Sequence, residues 1–301
     1  VKVVAPGKVL LFGAYSVLEG TQALVVAVDR YAVADTDQLA PSTSAEVRAA
    51  IGDAPAPALD LTSLHQDGEK LGLGSSAAAL VATLGARAAE RGEDLADLIV
   101  RKDILFDAKR AHAAAQGGGS GVDIAASTYG GALFYSMLPD VDPLILQAEL
   151  PKALSLRVLW SGRSARTSEL LAQVKKLDAK DHGTYRTLIG AIGECVKASR
   201  RACAEGDAAA LVAAGRANAR ALADLGREAE APIVPAAFAE LAALAEREDG
   251  AFYPSGAGGG DVGVWLGCAP PPPSFLDHAR AAGMFLLELG IDRTGVRLRK
   301  D

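Results

Sequence analysis

The chain has 301 residues, with 31 basic against 37 acidic side chains, a formal net charge of −6 and a pI near 5.4. Half of the residues are hydrophobic and mean hydropathy is +0.18, which supports a large buried core and excludes wholesale disorder. The acidic balance and the lack of a dense Lys/Arg run argue against a nucleic-acid partner, and no uncharged stretch is long and apolar enough for a membrane span. At roughly 150 residues per domain, the length predicts about two domains. Aromatic residues are only 5%, so the core must rest on Ala, Val, Leu and Ile. Cys195, Cys203 and Cys268 have neither metal-ligand spacing nor an even disulfide count. Residues 1–8 lack a signal-peptide pattern. The expectation is a reduced, cytoplasmic protein, monomeric or homodimeric, that handles a small molecule and neither nucleic acid nor membrane.

In chain order, Val1–Val4 reads as a strand, broken by Ala5-Pro6-Gly7 and resumed over Val9–Phe12. Ala23–Val28 and Tyr31–Ala34 are two further apolar strands. Residues 36–60 read as loops with one short strand near Ala45–Ala49. Ser75–Arg91 and Leu95–Gln116 have helical periodicity, and Gly117-Gly118-Gly119 ends the second. A short helix over Val122–Thr128 and a strand over Ala132–Met137 follow. Pro139, Asp140, Asp142 and Pro143 mark a loop, and Leu154–Trp160 is a strand. Thr167–Leu225 is helical, with breaks near Asp181–Gly183 and Gly206-Asp207, and Ala236–Glu248 is another helix. Residues 251–266 read as strand, glycine turn, strand. Pro270–Pro273 is a stop, Phe275–Ala282 a helix, and a final strand lies near Val296. The mixed order lacks regular βα alternation, which predicts an α+β fold with a boundary near residue 150, dividing it into 1–150 and 151–301.

Three glycine loops carry the chemistry. Gly72-Leu73-Gly74-Ser75-Ser76-Ala77 leads directly into a helix. Its glycines allow close backbone approach, the helix N-terminus offers free N–H groups to an anion, and the serines add hydroxyls for phosphate or Mg²⁺. The alternative is an ordinary Ser-capped helix after a Gly turn. Ser255-Gly256-Ala257-Gly258-Gly259-Gly260 has more glycines than a hairpin needs, so its backbone must make room for something, or else the turn is simply flexible. Gly119-Ser120-Gly121-Val122-Asp123 ends one helix and begins another. Taken alone, Asp123 is a capping or solvated acid, and Lys8 a surface lysine.

Together with Ala5-Pro6-Gly7-Lys8, these three loops occur in an order that resembles the GHMP small-molecule kinases. Within that superfamily the pattern is most similar to the phosphomevalonate kinases. The segments that carry this are Asp67-Gly68-Glu69-Lys70-Leu71, Ala111-His112-Ala113, Trp160-Ser161-Gly162-Arg163-Ser164-Ala165 and Tyr253-Pro254-Ser255-Gly256-Ala257-Gly258-Gly259-Gly260-Asp261. His112 stands where mevalonate kinases place a Mg²⁺-binding Glu. Ala14, in Gly13-Ala14-Tyr15, stands where many relatives carry Glu. The resemblance implies an N-terminal domain like ribosomal protein S5 domain 2 and a ferredoxin-like C-terminal domain.

It also implies ATP and Mg²⁺ as cofactors, and a phosphorylated hydroxy acid as acceptor. Gly72, Leu73, Gly74, Ser75, Ser76 and Ala77 would hold the ATP phosphates, with Ser76 as a Mg²⁺ ligand. Lys8 and Asp123 would be catalytic. Lys8, Tyr15, Lys70, His112, Ser120, Gly121, Arg163, Ser164, Arg166, Ser255, Gly256, Ala257 and Gly258 would contact the acceptor. An alcohol acceptor would need Asp123 as a base, whereas a phosphate acceptor would need it only to orient Lys8 and the substrate. Mevalonate or a sugar as acceptor, and a non-catalytic sensor of nucleotide or metabolite, are the alternatives.

Overall fold

β1 (Lys2–Phe12) runs unbroken through Pro6 and Gly7 in the computed structural model, whose description covers residues 1–138 and 141–299. The sequence predicted a break there. Proline tolerates extended backbone where no N–H is needed, and the Pro6 carbonyl accepts the Ser127 hydroxyl at 2.7 Å. Gly7 is required for close approach, since a Cβ there would lie 2.7 Å from the Leu73 carbonyl oxygen and 2.8 Å from Leu64 Cδ2. The two strands expected next form one, β2 (Gln22–Leu39). The polar Asp29 within it is satisfied by Gly290, whose amide donates to the Asp29 carboxylate at 2.7 Å.

The strand expected near Ala45–Ala49 is instead a helix, α1 (Ala45–Ile51). Ser44 caps it by accepting the Val47 amide at 3.3 Å, and Val47 is its one buried residue, so apolar spacing over so short a stretch could not tell helix from strand. β3 (Pro57–Asp60) follows, then a 3₁₀ turn at Thr62–Leu64 and the small hairpin β4 (His65–Gln66) and β5 (Glu69–Lys70). The two helices read from periodicity are α2 (Ser75–Glu90) and α3 (Leu98–Gln116), the latter capped by Asp97. α4 (Val122–Tyr129) and β6 (Ala132–Ser136) also lie where expected. Of the loop read over 139–143, Pro139 and Asp140 lie outside the described residues. The sequence reading missed β7 (Leu144–Ala148), a short strand without clean alternation.

The second half follows the sequence reading closely: β8 (Ser155–Trp160), α5 (Thr167–Lys180), α6 (His182–Glu205), α7 (Ala208–Glu228), α8 (Ala236–Arg247), β9 (Ala251–Pro254) and β10 (Val262–Gly267). The proline run does not merely stop the chain. Pro273 starts α9 (Pro273–Ala281) from the first helical position, where a missing N–H costs nothing. β11 (Phe285–Leu287) and β12 (Arg297–Leu298) complete the chain. The α+β class holds, and no helix of the described residues is long and apolar enough to cross a membrane.

Where the sequence suggested 1–150 and 151–301, the chain groups into two compact units that interleave along it. The first comprises residues 1–9, 25–133 and 290–301, and the second 10–24 and 134–289. One sheet has the order β12-β1-β2-β6-β7 with β3 beside β2, and β12 pairs antiparallel with β1 at Val3↔Leu298. The core of the first unit is aliphatic, and α2 is buried on nearly every face because its alanines let neighbours approach. The second unit has an antiparallel sheet in the order β11-β8-β10-β9. Its core gathers the scarce aromatics. Phe275 packs on Trp265 at 4.7 Å and on Phe252 at 5.5 Å, and Phe238 lies 5.6 Å from Phe252.

Asp292 closes the first unit. It is 5% exposed and accepts from the Tyr31 hydroxyl at 2.9 Å, the Thr294 and Gly295 amides at 2.9 and 2.7 Å, and the Arg297 guanidinium at 2.8 Å. Asp292→Ala should therefore cost about 2 kcal/mol or more, because it removes the acceptor of a half-buried guanidinium, a phenol and two amides. Asp292→Asn should lose less, and urea melts of the two variants against the parent check both.

Candidate active site

The first glycine loop is set against β1 by one backbone bond, from the Lys8 amide to the Leu73 carbonyl at 2.8 Å. Gly74 then caps α2 in the left-handed region, at φ 75°, with no side chain to fill the cap. The first amide bonded within the helix is that of Ala78, on Gly74 O at 3.0 Å. The helix itself thus gives the Ser75, Ser76 and Ala77 amides no acceptor, and they stand at the positive end of its dipole. The bare Gly74 has a second use. A Cβ there would meet the Lys8 stem at 3.0 to 3.6 Å, so the missing side chain lets Lys8 lie across the helix start. Ser75 is buried, Ser76 is half-buried, and Lys8 is partly exposed.

Asp123 is reached in the same unit by a parallel device. Gly121 caps α4 at φ 76°, and a Cβ there would press on the Lys109 stem at 3.0 to 3.1 Å. Asp123 stands in the first turn with one oxygen accepting the Ile124 amide at 2.9 Å. The Ser127 bond to Pro6, one turn further on, ties this helix to the strand that carries Lys8. Neither Lys8 nor Asp123 belongs to an ion pair among the described residues, so both keep their charge available. His112 packs on the glycine stretch before α4, its ring 3.2 Å from where a Gly119 Cβ would sit, and its buried Nδ1 has no partner. Ser120 accepts the Val122 amide at 3.4 Å, and Lys70 lies exposed on β5, opposite His65.

In the second unit the glycine turn between β9 and β10 is held from several sides. The Ser255 hydroxyl meets both the amide and the carbonyl of Leu10, each at 3.0 Å. The Tyr15 hydroxyl donates to the Ala257 carbonyl at 2.5 Å. Tyr15 is itself the centre of a γ-turn, at φ 64° and ψ −53°, closed by the Ser16 amide on Ala14 O at 2.7 Å. Such backbone costs on the order of 1–3 kcal/mol for a non-glycine residue and persists only where surrounding contacts impose it. Burial raises the Tyr15 phenol above its ordinary value and so keeps it a donor. The hydroxyls of Tyr15 and Ser255, expected for the acceptor, are thus engaged in bonds to the protein.

The glycines of this turn make room chiefly for the chain itself. A Cβ on Gly258 would run into the Ile233 carbonyl, one on Gly259 would meet Leu170, and one on Gly260 would lie 3.1 Å from Arg163 O. Only Gly256, at φ 68°, faces open space. Asp261 then fastens the segment after β8: its amide donates to Arg163 O at 2.8 Å, its carbonyl accepts the Ser161 amide at 2.8 Å, and its carboxylate accepts the Ala165 amide at 3.0 Å. Arg163 and Ser164 are exposed, and Arg166 is exposed and paired with Glu169 at 3.0 Å.

Residues 42–131 match the family model described as GHMP kinases N terminal domain, and that span holds both the Gly72–Ala77 loop and Asp123. The phosphomevalonate kinase of Streptomyces sp. (strain CL190) is 31% identical over 336 aligned positions, covering 87% of this chain and 88% of that protein. The chain belongs to the GHMP kinases. Two solved structures show that the GHMP kinase fold extends over its length. A Lin0012 protein from Listeria innocua superposes with a TM-score of 0.87 at 24% identity, over 100% of this chain and 99% of that one. Streptococcus pneumoniae phosphomevalonate kinase in complex with phosphomevalonate and AMPPNP superposes with a TM-score of 0.80 at 19% identity, over 97% and 99%.

For this GHMP kinase, sequence reasoning passed over Ser127 and quoted Asp261 without giving it a role, yet these two side chains fix α4 and the segment after β8. Asp261 had a signal, an acid directly after three glycines. Ser127 had none, because its partner Pro6 is 121 residues away. The packing of the second glycine turn gives a test by urea melt. Gly258→Ala should cost about 3 kcal/mol or more, from left-handed strain and the Ile233 clash together. Gly256→Ala should cost only about 1 kcal/mol, from the strain alone.

Proposed function

We propose that this chain is a phosphomevalonate kinase, transferring the γ-phosphoryl group of ATP to the phosphate of 5-phosphomevalonate to give ADP and 5-diphosphomevalonate. The observation that carries this reading is the 31% identity to the Streptomyces phosphomevalonate kinase over 87% of the chain. An acceptor phosphate oxygen forms the new bond to the γ-phosphorus as the bond to the β-γ bridging oxygen breaks. A phosphomonoester, with its second pKa near ~6, is already largely dianionic at pH 7, so no base is needed to remove a proton.

In this reading the Ser75, Ser76 and Ala77 amides bind the nucleotide phosphates at the N-terminus of α2. Lys8 neutralises charge on the transferring group, and Asp123 orients Lys8 and the acceptor. The basic candidates for the acceptor phosphate are Lys70, His112, Arg163 and Arg166, and the unpartnered Nδ1 of His112 supports its place among them. The exposed hydroxyl of Ser164 and the backbone of Ser120, Gly121 and Gly256 to Gly258 complete the proposed acceptor contacts. The donor set suits Mg²⁺. Among the described residues there is no cluster of three His, Cys, Asp or Glu side chains, and Mg²⁺ with a nucleotide commonly takes one or two protein oxygens and fills its shell with phosphates and water. The Ser76 hydroxyl is the proposed protein ligand, and the ion would supply charge neutralisation on the phosphates.

Steady-state ATP turnover with phosphomevalonate, mevalonate and a sugar panel tests the assignment. Turnover confined to phosphomevalonate, declining below about pH 6 as the acceptor protonates, is the expected result. Lys8→Met and Asp123→Asn should each lower kcat by at least ~100-fold while leaving the thermal melt unchanged. Preferred turnover of mevalonate would reassign the acceptor and make Asp123 a base, whereas nucleotide binding without turnover on any acceptor would favour a sensor.

A further inference from the structure

A cavity of about 840 Å³ opens in the first unit, bordered by residues 93–96 just beyond the C-terminal end of α2. The 16 residues of α2 span about 24 Å, so residues 93–96 lie at the far end of the helix from the glycine loop, and none of the loop residues 72–77 lines the cavity. Its volume is in the range of small-molecule sites, roughly 300–1,000 Å³. Val4 of β1, Val33 of β2 and Leu95 supply apolar wall.

The charges around it are unequally committed. Asp60 accepts the Thr62 amide and hydroxyl at 2.9 and 2.7 Å, and these bonds hold its carboxyl below the usual range. Glu93 is gripped by Arg91 at 2.6 and 3.1 Å. Asp94 accepts the Ala96 amide at 2.9 Å. Arg297 is bound to Asp292 and lies 5.1 Å over the Tyr31 ring. Two guanidiniums remain. Half-buried Arg101 gives its Nε–H to the Leu95 carbonyl at 2.7 Å, which leaves its two terminal nitrogens uncommitted. Exposed Arg299 feels Asp60 through space without contact. Neither arginine has a carboxylate at ion-pair distance among the described residues. Partial burial of an unpaired guanidinium is unfavourable, and an anion in the cavity would relieve it.

We propose that this cavity is a second ligand site, taking an organic phosphate monoester whose apolar body lies on Val4, Val33 and Leu95 and whose phosphate is held by Arg101 and Arg299. Two uncommitted guanidiniums match a dianion, and their planar N–H forks match phosphate oxygens. The apolar wall selects against inorganic phosphate, which would leave that surface uncovered. The site depends on neither Lys8 nor the glycine loops, so it stands or falls apart from the catalytic assignment.

Calorimetric titration of the full chain with phenyl phosphate, in saturating AMPPNP and Mg²⁺ to occupy the nucleotide site, tests it. One saturable event is expected, weakened at least about tenfold in Arg101→Met and in Arg299→Met. Arg299 is exposed, so its substitution leaves folding intact even if the loss of the Arg101–Leu95 bond does not. The proposal is overturned by absence of binding at millimolar phenyl phosphate, by unchanged affinity in Arg299→Met, or by equal binding of phenol.

Discussion

The arrangement of the first unit depends on one close approach, the Leu73 carbonyl reaching the Lys8 amide across Gly7. Any side chain at Gly7 would hold the loop off the strand. With it in place, the loop delivers a helix whose first amides are free and lays the Lys8 stem across the bare Gly74. The Ser127–Pro6 bond repeats the device from the other side, bringing a second helix N-terminus, with Asp123 in its first turn, to the same strand. A cation, an anion and two helix starts are thus fixed to one β-strand, by a backbone bond at Leu73 and by the Ser127 hydroxyl on Pro6 O. Catalysis that works by positioning and charge neutralisation requires such fixed geometry.

The second unit solves a different problem with similar residues. Its glycines are spent mostly on self-packing, where the turn passes over the Ile233 and Arg163 carbonyls. The γ-turn at Tyr15, the paired bonds of Ser255 to Leu10 and the three bonds of Asp261 leave this turn few alternative conformations. A glycine-rich segment is ordinarily mobile because unfolded glycine has so many states. Here the neighbours remove them, and Gly256 alone keeps an open face.

The charges divide in the same way. Five exposed arginines (Arg91, Arg110, Arg166, Arg227 and Arg280) are paired with a carboxylate one to three residues away, as Arg166 with Glu169 and Arg280 with Asp277, which contributes little to stability and answers mainly to solubility. Among the groups without such partners are Lys8, Asp123, the Nδ1 of His112, Arg101 and Arg299. Asp123, His112 and Arg101 fall within residues 42–131, the span that matches the GHMP kinase N-terminal domain, and Lys8 and Arg299 lie outside it.

Much was legible beforehand. Helices α2 to α8 stood out because a 3.6-residue apolar repeat, Ala-rich stretches and glycine stops are local signals. The three glycine loops and Lys8 stood out through their order along the chain, which no single loop would have carried. Other features depended on distant residues. Whether Pro6-Gly7 breaks a strand or lies within one turned on Leu64, Leu73 and Ser127. Whether 45–51 is strand or helix turned on one capping hydroxyl. The hydroxyls of Tyr15 and Ser255 read as ligands because their partners, Ala257 and Leu10, lie 242 and 245 positions away. The sequence by itself determined the class of fold, the family and the local chemistry of each loop, because these are written in neighbouring residues. Only the tertiary structure decided which glycines face solvent, which hydroxyls are spent and which arginines stay unpaired, because those depend on atoms that folding brings together from far along the chain.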